Sequence, residues 1–176
     1  MSRLVRILTA GLLALGLPAR AADRAVEVQP GLDLERYLGT WYEIASYPAS
    51  FQRGCTATTA SYVRDGSGAV RVRNACRRGE LDGKPSSVSG YLRVPDPADP
   101  ARLEVSFFRP FWADYWVLAV ADDYGWALVG TPNRKYLWVL ARTRTLDDAT
   151  WTSLVGRLAA SGWDTGRLVR TLQPAE

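Results

Sequence analysis

Tyr115-Trp116-Val117-Leu118-Ala119-Val120-Ala121, then Asp122-Asp123-Tyr124-Gly125, then Trp126-Ala127-Leu128-Val129-Gly130 is the stretch that decides the fold. Its first seven residues offer water nothing but a tyrosine, so both faces of this segment must be covered. The four residues that follow are turn formers and the apolar run resumes at once, as in two antiparallel strands joined by a short loop. One face is expected to line an interior and the other to lie beneath an outer element.

Outward from this hairpin the same pattern repeats. Strands are predicted near Trp41 to Tyr47, Thr56 to Arg64, Ala69 to Cys76, Ser87 to Val94, Arg102 to Phe107, Tyr115 to Ala121, Trp126 to Gly130 and Tyr136 to Arg142. Asp65-Gly66, Asp82-Gly83, Pro95-Asp96-Pro97 and Thr131-Pro132-Asn133 punctuate them. Arg71 and Arg73 alternate with Val70 and Val72, and Glu104 separates Leu103 from Val105, so those strands turn one face to solvent. Without a βαβ rhythm this is an antiparallel all-β sandwich or barrel. One helix interrupts it: Thr145 and Asp148 have capping-box spacing, Asp147 favours the positive helix end, and Trp151, Leu154, Val155 and Leu158 share a face before Gly162. Arg167 to Leu172 is a candidate ninth strand, and no linker or repeat marks a second domain.

Composition narrows the function. The 176 residues are 47% hydrophobic and include seven Trp and eight Tyr, enough for one sizeable core. Histidine is absent and there are two cysteines, so Ser/His/Asp and Cys/His nucleophiles and the common His/Cys zinc sites cannot be built. No metal or cofactor is expected. The formal charge of +4 invites a polyanionic partner until residues 1–21 are set apart. Arg3 and Arg6, an apolar run of eleven residues from Ile7 to Leu17, and Ala19-Arg20-Ala21 form an expected cleaved export signal. Eleven apolar residues are about half of a membrane span. Cleavage leaves residues 22–176 as one domain with 19 basic and 18 acidic side chains, which removes the footprint of a nucleic-acid partner. The expected location is a bacterial periplasm, and the apolar run is followed by no cysteine to acylate as a lipoprotein anchor.

In an oxidising compartment Cys55 and Cys76 flank a strand, the turn Asp65-Gly66-Ser67-Gly68 and a second strand, a spacing that lets them bridge one hairpin. Closing a loop of about 20 residues stabilises by roughly 3 kcal/mol. A redox pair is the alternative, but there is no CxxC and no adjoining helix start.

Gly39-Thr40-Trp41-Tyr42, preceded by Leu32 to Leu38 and followed by Glu43-Ile44-Ala45, resembles the first lipocalin motif. Asp122-Asp123-Tyr124 before Trp126 resembles the second, and Leu140-Ala141-Arg142-Thr143 the third, all in the family's order. The resemblance covers about residues 30 to 175. With Val105-Ser106-Phe107-Phe108 and Tyr136-Leu137-Trp138-Val139-Leu140 it narrows to the bacterial outer-membrane lipocalins, related to apolipoprotein D and plant temperature-induced lipocalins. It implies an eight-stranded antiparallel up-and-down barrel with one C-terminal α-helix packed outside. It also implies structural roles for Gly39, Trp41, Asp123 and Arg142, the arginine packing across the tryptophan at the barrel floor.

Parity from Trp41, together with the family's pattern, points Ala60, Tyr62, Val72, Asn74, Val88, Leu92, Val105, Phe107, Val117, Ala119, Leu128, Tyr136 and Trp138 inward. Such a lumen suits a fatty acid or lysophospholipid: about ten buried methylenes at roughly 0.8 kcal/mol each correspond to micromolar affinity. Two alternatives stay open at this stage. Side chains could fill the barrel, leaving a structural or interaction protein, or the barrel could act on a bound lipid through Glu43, Tyr62 or a cysteine. The expectation is a binding protein, not an enzyme.

Loops of an up-and-down barrel alternate between its ends. The stretches 48–54, 77–86, 108–114 and 131–135 carry Arg53, Arg77, Arg78, Lys84, Arg109, Arg134 and Lys135 against Glu80, Asp82 and Asp114, a net +4 at the open end. The stretches 65–68, 95–101 and 122–125 carry Asp65, Asp96, Asp99, Asp122 and Asp123, a net −5 at the other. Phe51, Phe108, Phe111 and Trp112 share the basic end, so the mouth is expected to touch anionic membrane transiently. The expected state is a monomer or weak homodimer.

Overall fold

The structure, a computed structural model, describes residues 25–175, so the export signal expected over 1–21 lies outside the described residues. Nine strands follow a one-turn helix: α1 (Leu34–Tyr37), β1 (Gly39–Ser46), β2 (Cys55–Arg64), β3 (Val70–Arg78), β4 (Pro85–Arg93), β5 (Arg102–Phe108), β6 (Phe111–Val120), β7 (Trp126–Gly130) and β8 (Leu137–Ala141). Helix α2 (Asp148–Ala160) and the short β9 (Val169–Arg170) complete the order. Strands β1 to β8 pair antiparallel with their sequence neighbours, and β8 pairs with β1, which closes the barrel.

The eight expected strands all form. The hairpin that decides the fold pairs Val117 with Val129 and Val120 with Ala127 around the Ala121–Gly125 turn, where the Asp123 carboxylate accepts from the Gly125 amide at 2.8 Å. The Asp65 carboxylate does the same for Ser67 and Ala69 in the β2–β3 turn. Strand β6 begins at Phe111, earlier than expected, because β5 and β6 form a tight hairpin with Phe108 opposite Phe111. Asp114 therefore lies on the barrel wall opposite Glu104 and not in a mouth loop.

Helix α2 packs outside the barrel, its Leu154 and Leu158 buried against Ala119, Leu128, Leu137 and Val139. Its N-cap is Asp147, which accepts from the Thr150 amide and hydroxyl at 2.8 and 2.7 Å, so the expected Thr145 capping box is displaced by two residues. An ionised acceptor at the positive helix end outcompetes a hydroxyl. Past the helix, Gly162 adopts φ +80°, and the Trp163 amide returns to the Leu158 carbonyl at 3.0 Å. Trp163 then lies against Gly130 of β7, where any Cβ would meet its ring at 2.5 Å.

Strand β9 is shorter than the expected segment and runs along β1 on the edge used lower down by β2. The Leu172 carbonyl accepts from the Ala57 amide at 2.7 Å, so the C-terminal segment seals the upper seam between β1 and β2. Gln173 Nε2 donates to the carbonyls of both Glu43 and Thr58 at 2.9 Å, spanning the same seam.

Candidate ligand-binding site

The closed end is built on α1. Asp33 caps it by accepting from the Glu35 and Arg36 amides, which directs Tyr37 beneath Trp41, and both aromatic residues are fully buried. The Trp41 indole donates to the Tyr37 carbonyl at 2.8 Å. Arg142 stacks on Trp41, 3.7 Å from its centroid, and donates to four carbonyls, those of Arg36, Tyr37, Leu38 and Thr40. Its guanidinium thus satisfies the orphan carbonyls at the end of α1 as well as shielding the indole. Gly39 keeps φ +98° beside it, and a Cβ there would approach Arg142 Nη1 to 3.2 Å. Of the four expected motif residues, Gly39, Trp41 and Arg142 meet at this floor, and Asp123 lies in the Ala121–Gly125 turn.

Above this floor the barrel has two tiers. In the lower one, Tyr115 shares hydrogen bonds with Tyr37 and Tyr62 at 2.8 and 2.7 Å, amid Val72, Leu92, Leu103 and Val117. Burial pushes the pKa of all three phenols up. This half of the lumen is filled, and the expected ligand contacts Tyr62, Val72, Leu92 and Val117 are packing residues. Tyr115→Phe should cost about 3 kcal/mol in urea unfolding, because two buried hydroxyls lose their partner at once, whereas Tyr37→Phe spares the Tyr62–Tyr115 bond and should cost about 1 kcal/mol. Equal losses would show that the triad is not organised around Tyr115.

The upper tier is open. Register aligns Ala60 with Asn74 and Asn74 with Val88, and Val105, Phe107 and Trp138 join the wall half-buried. Val88 is 38% exposed inside the barrel, which marks space rather than surface. Tyr136 stacks on Trp138 at the rim, 5.8 Å between centroids, and Phe51 lies 5.4 Å from Tyr136. Cys55 and Cys76 are bridged with their Cα atoms 5.5 Å apart, fastening β2 to β3 near the mouth.

Two expected lumen residues face the other way. A bulge in β6 between Val117 and Ala119 shifts parity by one, so Ala119 pairs with Leu128 on the outer face under α2. Val120, Ala127 and Val129 take the inner positions instead. At the mouth, Phe108 and Phe111 are each 76% exposed and Phe51 is 60% exposed. Trp112 instead lies on the outer wall beneath Arg93, at 4.0 Å. Arg109 stacks on Tyr91 of that wall at 4.1 Å, and Arg134 reaches the end of α2, donating to the Ser161 carbonyl. Arg77 donates to the Gly83 carbonyl, Arg53 is exposed, and Lys135 sits 5.3 Å from the Tyr136 ring. The acidic loops of the closed end are partly answered by neighbours, Arg102 pairing with Asp99 at 2.9 Å and Arg36 donating to the Asp122 carbonyl.

Sequence reasoning took Glu43 only as a conceivable catalyst. It is 4% exposed and faces the lumen opposite Leu140. Its carboxylate accepts from Ser46 at 3.0 Å, from Thr171 at 2.5 Å and from Gln52, so it gathers β1, the mouth loop and the C-terminal segment. Desolvation raises its pKa and these three donors oppose the rise. A cavity of about 460 Å³ lies beside it, lined also by Ser46, Gln52, Thr56 and Thr171.

A family model described as a lipocalin-like domain matches residues 32–173. Temperature-induced lipocalin-1 of Arabidopsis thaliana is 38% identical over 159 residues, covering 85% of this chain and 84% of its own. Outer membrane lipoprotein Blc of Escherichia coli is 34% identical over 171 residues, covering 97% and 96%, and apolipoprotein D of Mus musculus is 34% identical, covering 83% and 79%. Among solved structures, insecticyanin from the tobacco hornworm superposes with a TM-score of 0.68 at 21% identity, covering 87% and 86% of the two chains. Lobster apocrustacyanin A1 superposes at 0.64 with 20% identity, covering 80% and 79%. A closed eight-stranded barrel with its first-strand tryptophan under an arginine, the outer helix and these matches place the chain in the lipocalin family, whose members bind small hydrophobic ligands.

Proposed function

We propose that this lipocalin holds the acyl chain of a fatty acid or lysophospholipid in the upper tier of its barrel, and binds without turning it over. The half-exposed apolar wall of Ala60, Val88, Val105, Phe107 and Trp138 above a packed floor carries this reading. Strands advance about 3.3 Å per residue, so β3 from Asn74 to its end at Arg78 offers roughly 13 Å of wall to a chain entering from the mouth. Of the candidate catalysts Glu43, Tyr62 and the cysteines, the last two do not favour turnover: the cysteines are bonded to each other, and burial raises the pKa of the Tyr62 phenol.

The bacterial envelope is the proposed location, with the domain in the periplasm. The Cys55–Cys76 bridge suits an oxidising compartment, and relatives named outer membrane lipoprotein belong to the same family. The open end is proposed to dock on anionic bilayer through Phe108 and Phe111, which flank the β5–β6 tip, with the basic loops beside them. Phe108→Ser with Phe111→Ser should reduce cosedimentation with phosphatidylglycerol-containing vesicles at low salt about tenfold, with an unaltered melting temperature. Trp112→Ser, on the wall, should leave it unchanged. Undiminished vesicle binding by the double variant would refute docking by this tip.

A further inference from the structure

Glu43 is a buried carboxyl group facing the lumen. Among the described residues it joins no ion pair, and its three partners, Ser46, Gln52 and Thr171, are neutral donors. Burying an ionised carboxylate without a cation is costly, and neutral hydrogen bonds leave its charge in place.

Three further observations give it a direction. The Thr58 hydroxyl oxygen is buried and unpartnered, and Thr58 stands across the seam from Glu43, since Tyr42 pairs with Thr59 and Gln173 bridges the Glu43 and Thr58 carbonyls. The cavity of about 460 Å³ reaches the carboxylate itself. Gln52, the one donor on a mouth loop, also accepts from the Trp138 indole at 3.3 Å, which places the stacked Trp138 and Tyr136 rings next to the carboxylate on the lumen side.

We propose that Glu43 accepts a protonated amine carried by the ligand, an alkyl ammonium or the ammonium end of a headgroup, whose chain runs into the upper tier. The ammonium has three hydrogens to donate and no acceptor of its own. It displaces Gln52 Nε2 from the carboxylate, donates a second hydrogen to the free Thr58 oxygen and lies against the Trp138 and Tyr136 rings, where a desolvated cation is favoured. The site thereby selects among acyl amphiphiles by the charge of the end group, taking amines over neutral alcohols. This rests on the acyl-chain reading given above.

The test is displacement of an acyl-chain fluorophore from the delipidated protein by decylamine and decanol at pH 7. Decylamine should displace at about tenfold lower concentration than decanol. Glu43→Gln should bring amine and alcohol together. Because that variant also alters the tie between β1, the mouth loop and β9, the wild-type protein supplies an independent measurement. Its preference for amine over alcohol should shrink as the pH falls and Glu43 takes up a proton. The charged groups facing the same cleft are Arg53, from the mouth loop, and Arg170, from β9, whose guanidinium lies 3.7 Å from the Trp151 centroid. Glu43 is the one acidic side chain among the residues lining that cleft, so the change reports the carboxylate. Equal displacement by amine and alcohol, or a preference that survives in Glu43→Gln, overturns the amine site and leaves the acyl-chain reading standing. A fluorophore that never binds the wild-type protein overturns both.

Discussion

Arg142→Ala should lower the stability of the barrel by about 4 kcal/mol and its melting temperature by on the order of 10 °C. The guanidinium does two jobs at once. It lies 3.7 Å from the Trp41 centroid, a contact of about 0.5 to 2 kcal/mol, and it donates to the carbonyls of Arg36, Tyr37, Leu38 and Thr40. Truncation leaves four acceptors at the end of α1 competing for water at a half-buried site, at about 1.5 to 3 kcal/mol for bonds to a charged donor. Arg142→Lys should recover less than half of the loss, because one ammonium cannot reach four diverging carbonyls from a single point. Calorimetric scans of the three proteins decide it. A lysine variant as stable as the parent would mean that only charge matters there.

Val88→Trp should abolish most acyl-chain binding, at least thirtyfold in fluorophore affinity, while shifting the melting temperature by less than about 3 °C. Val88 is lumen-facing yet 38% exposed, so a large ring can grow into the space above Asn74 without displacing packed neighbours. Leu92, four residues further along β4, is 4% exposed in the packed tier. Leu92→Ala should do the reverse, costing about 3 kcal/mol of stability with binding changed less than threefold. If both substitutions weakened binding equally, the ligand would have to reach the floor and the two tiers would be one.

The barrel itself was legible because its evidence is repetitive: alternating segments, turn chemistry between them, and three motifs in order. The lumen was less so. Parity carries through a strand only while every residue pairs, and the β6 bulge after Val117 turned Ala119 and its partner Leu128 outward. Nothing local in Val117-Leu118-Ala119 announces that bulge, since all three residues are apolar and suit either face. Tyr37 and Tyr115 went unrecognised as lumen filling for a different reason. Tyr37 precedes the first strand, and Tyr115 was taken as a strand tip open to water when β6 in fact starts four residues earlier. Trp112 and Arg109 were read as mouth groups from loop membership, whereas pairing of β5 with β6 and stacking on Arg93 and Tyr91 turn them to the wall. Glu43 had the right parity, but its three donors come from residues 46, 52 and 171, and the last contact is invisible to a local reading.

The seam filled by the C-terminal segment also sets an order of events. Gln173 joins backbone groups 130 and 115 residues earlier in the chain, and Leu172 meets Ala57 beside them. Lower down, β1 and β2 pair directly from Gly39–Tyr62 to Tyr42–Thr59 and β8 closes on β1, so only the upper part of the seam waits for residues 169–173. Until that segment docks, the facing upper edges of β1 and β2 stay unpaired, and the mouth is the last part of the barrel to be finished.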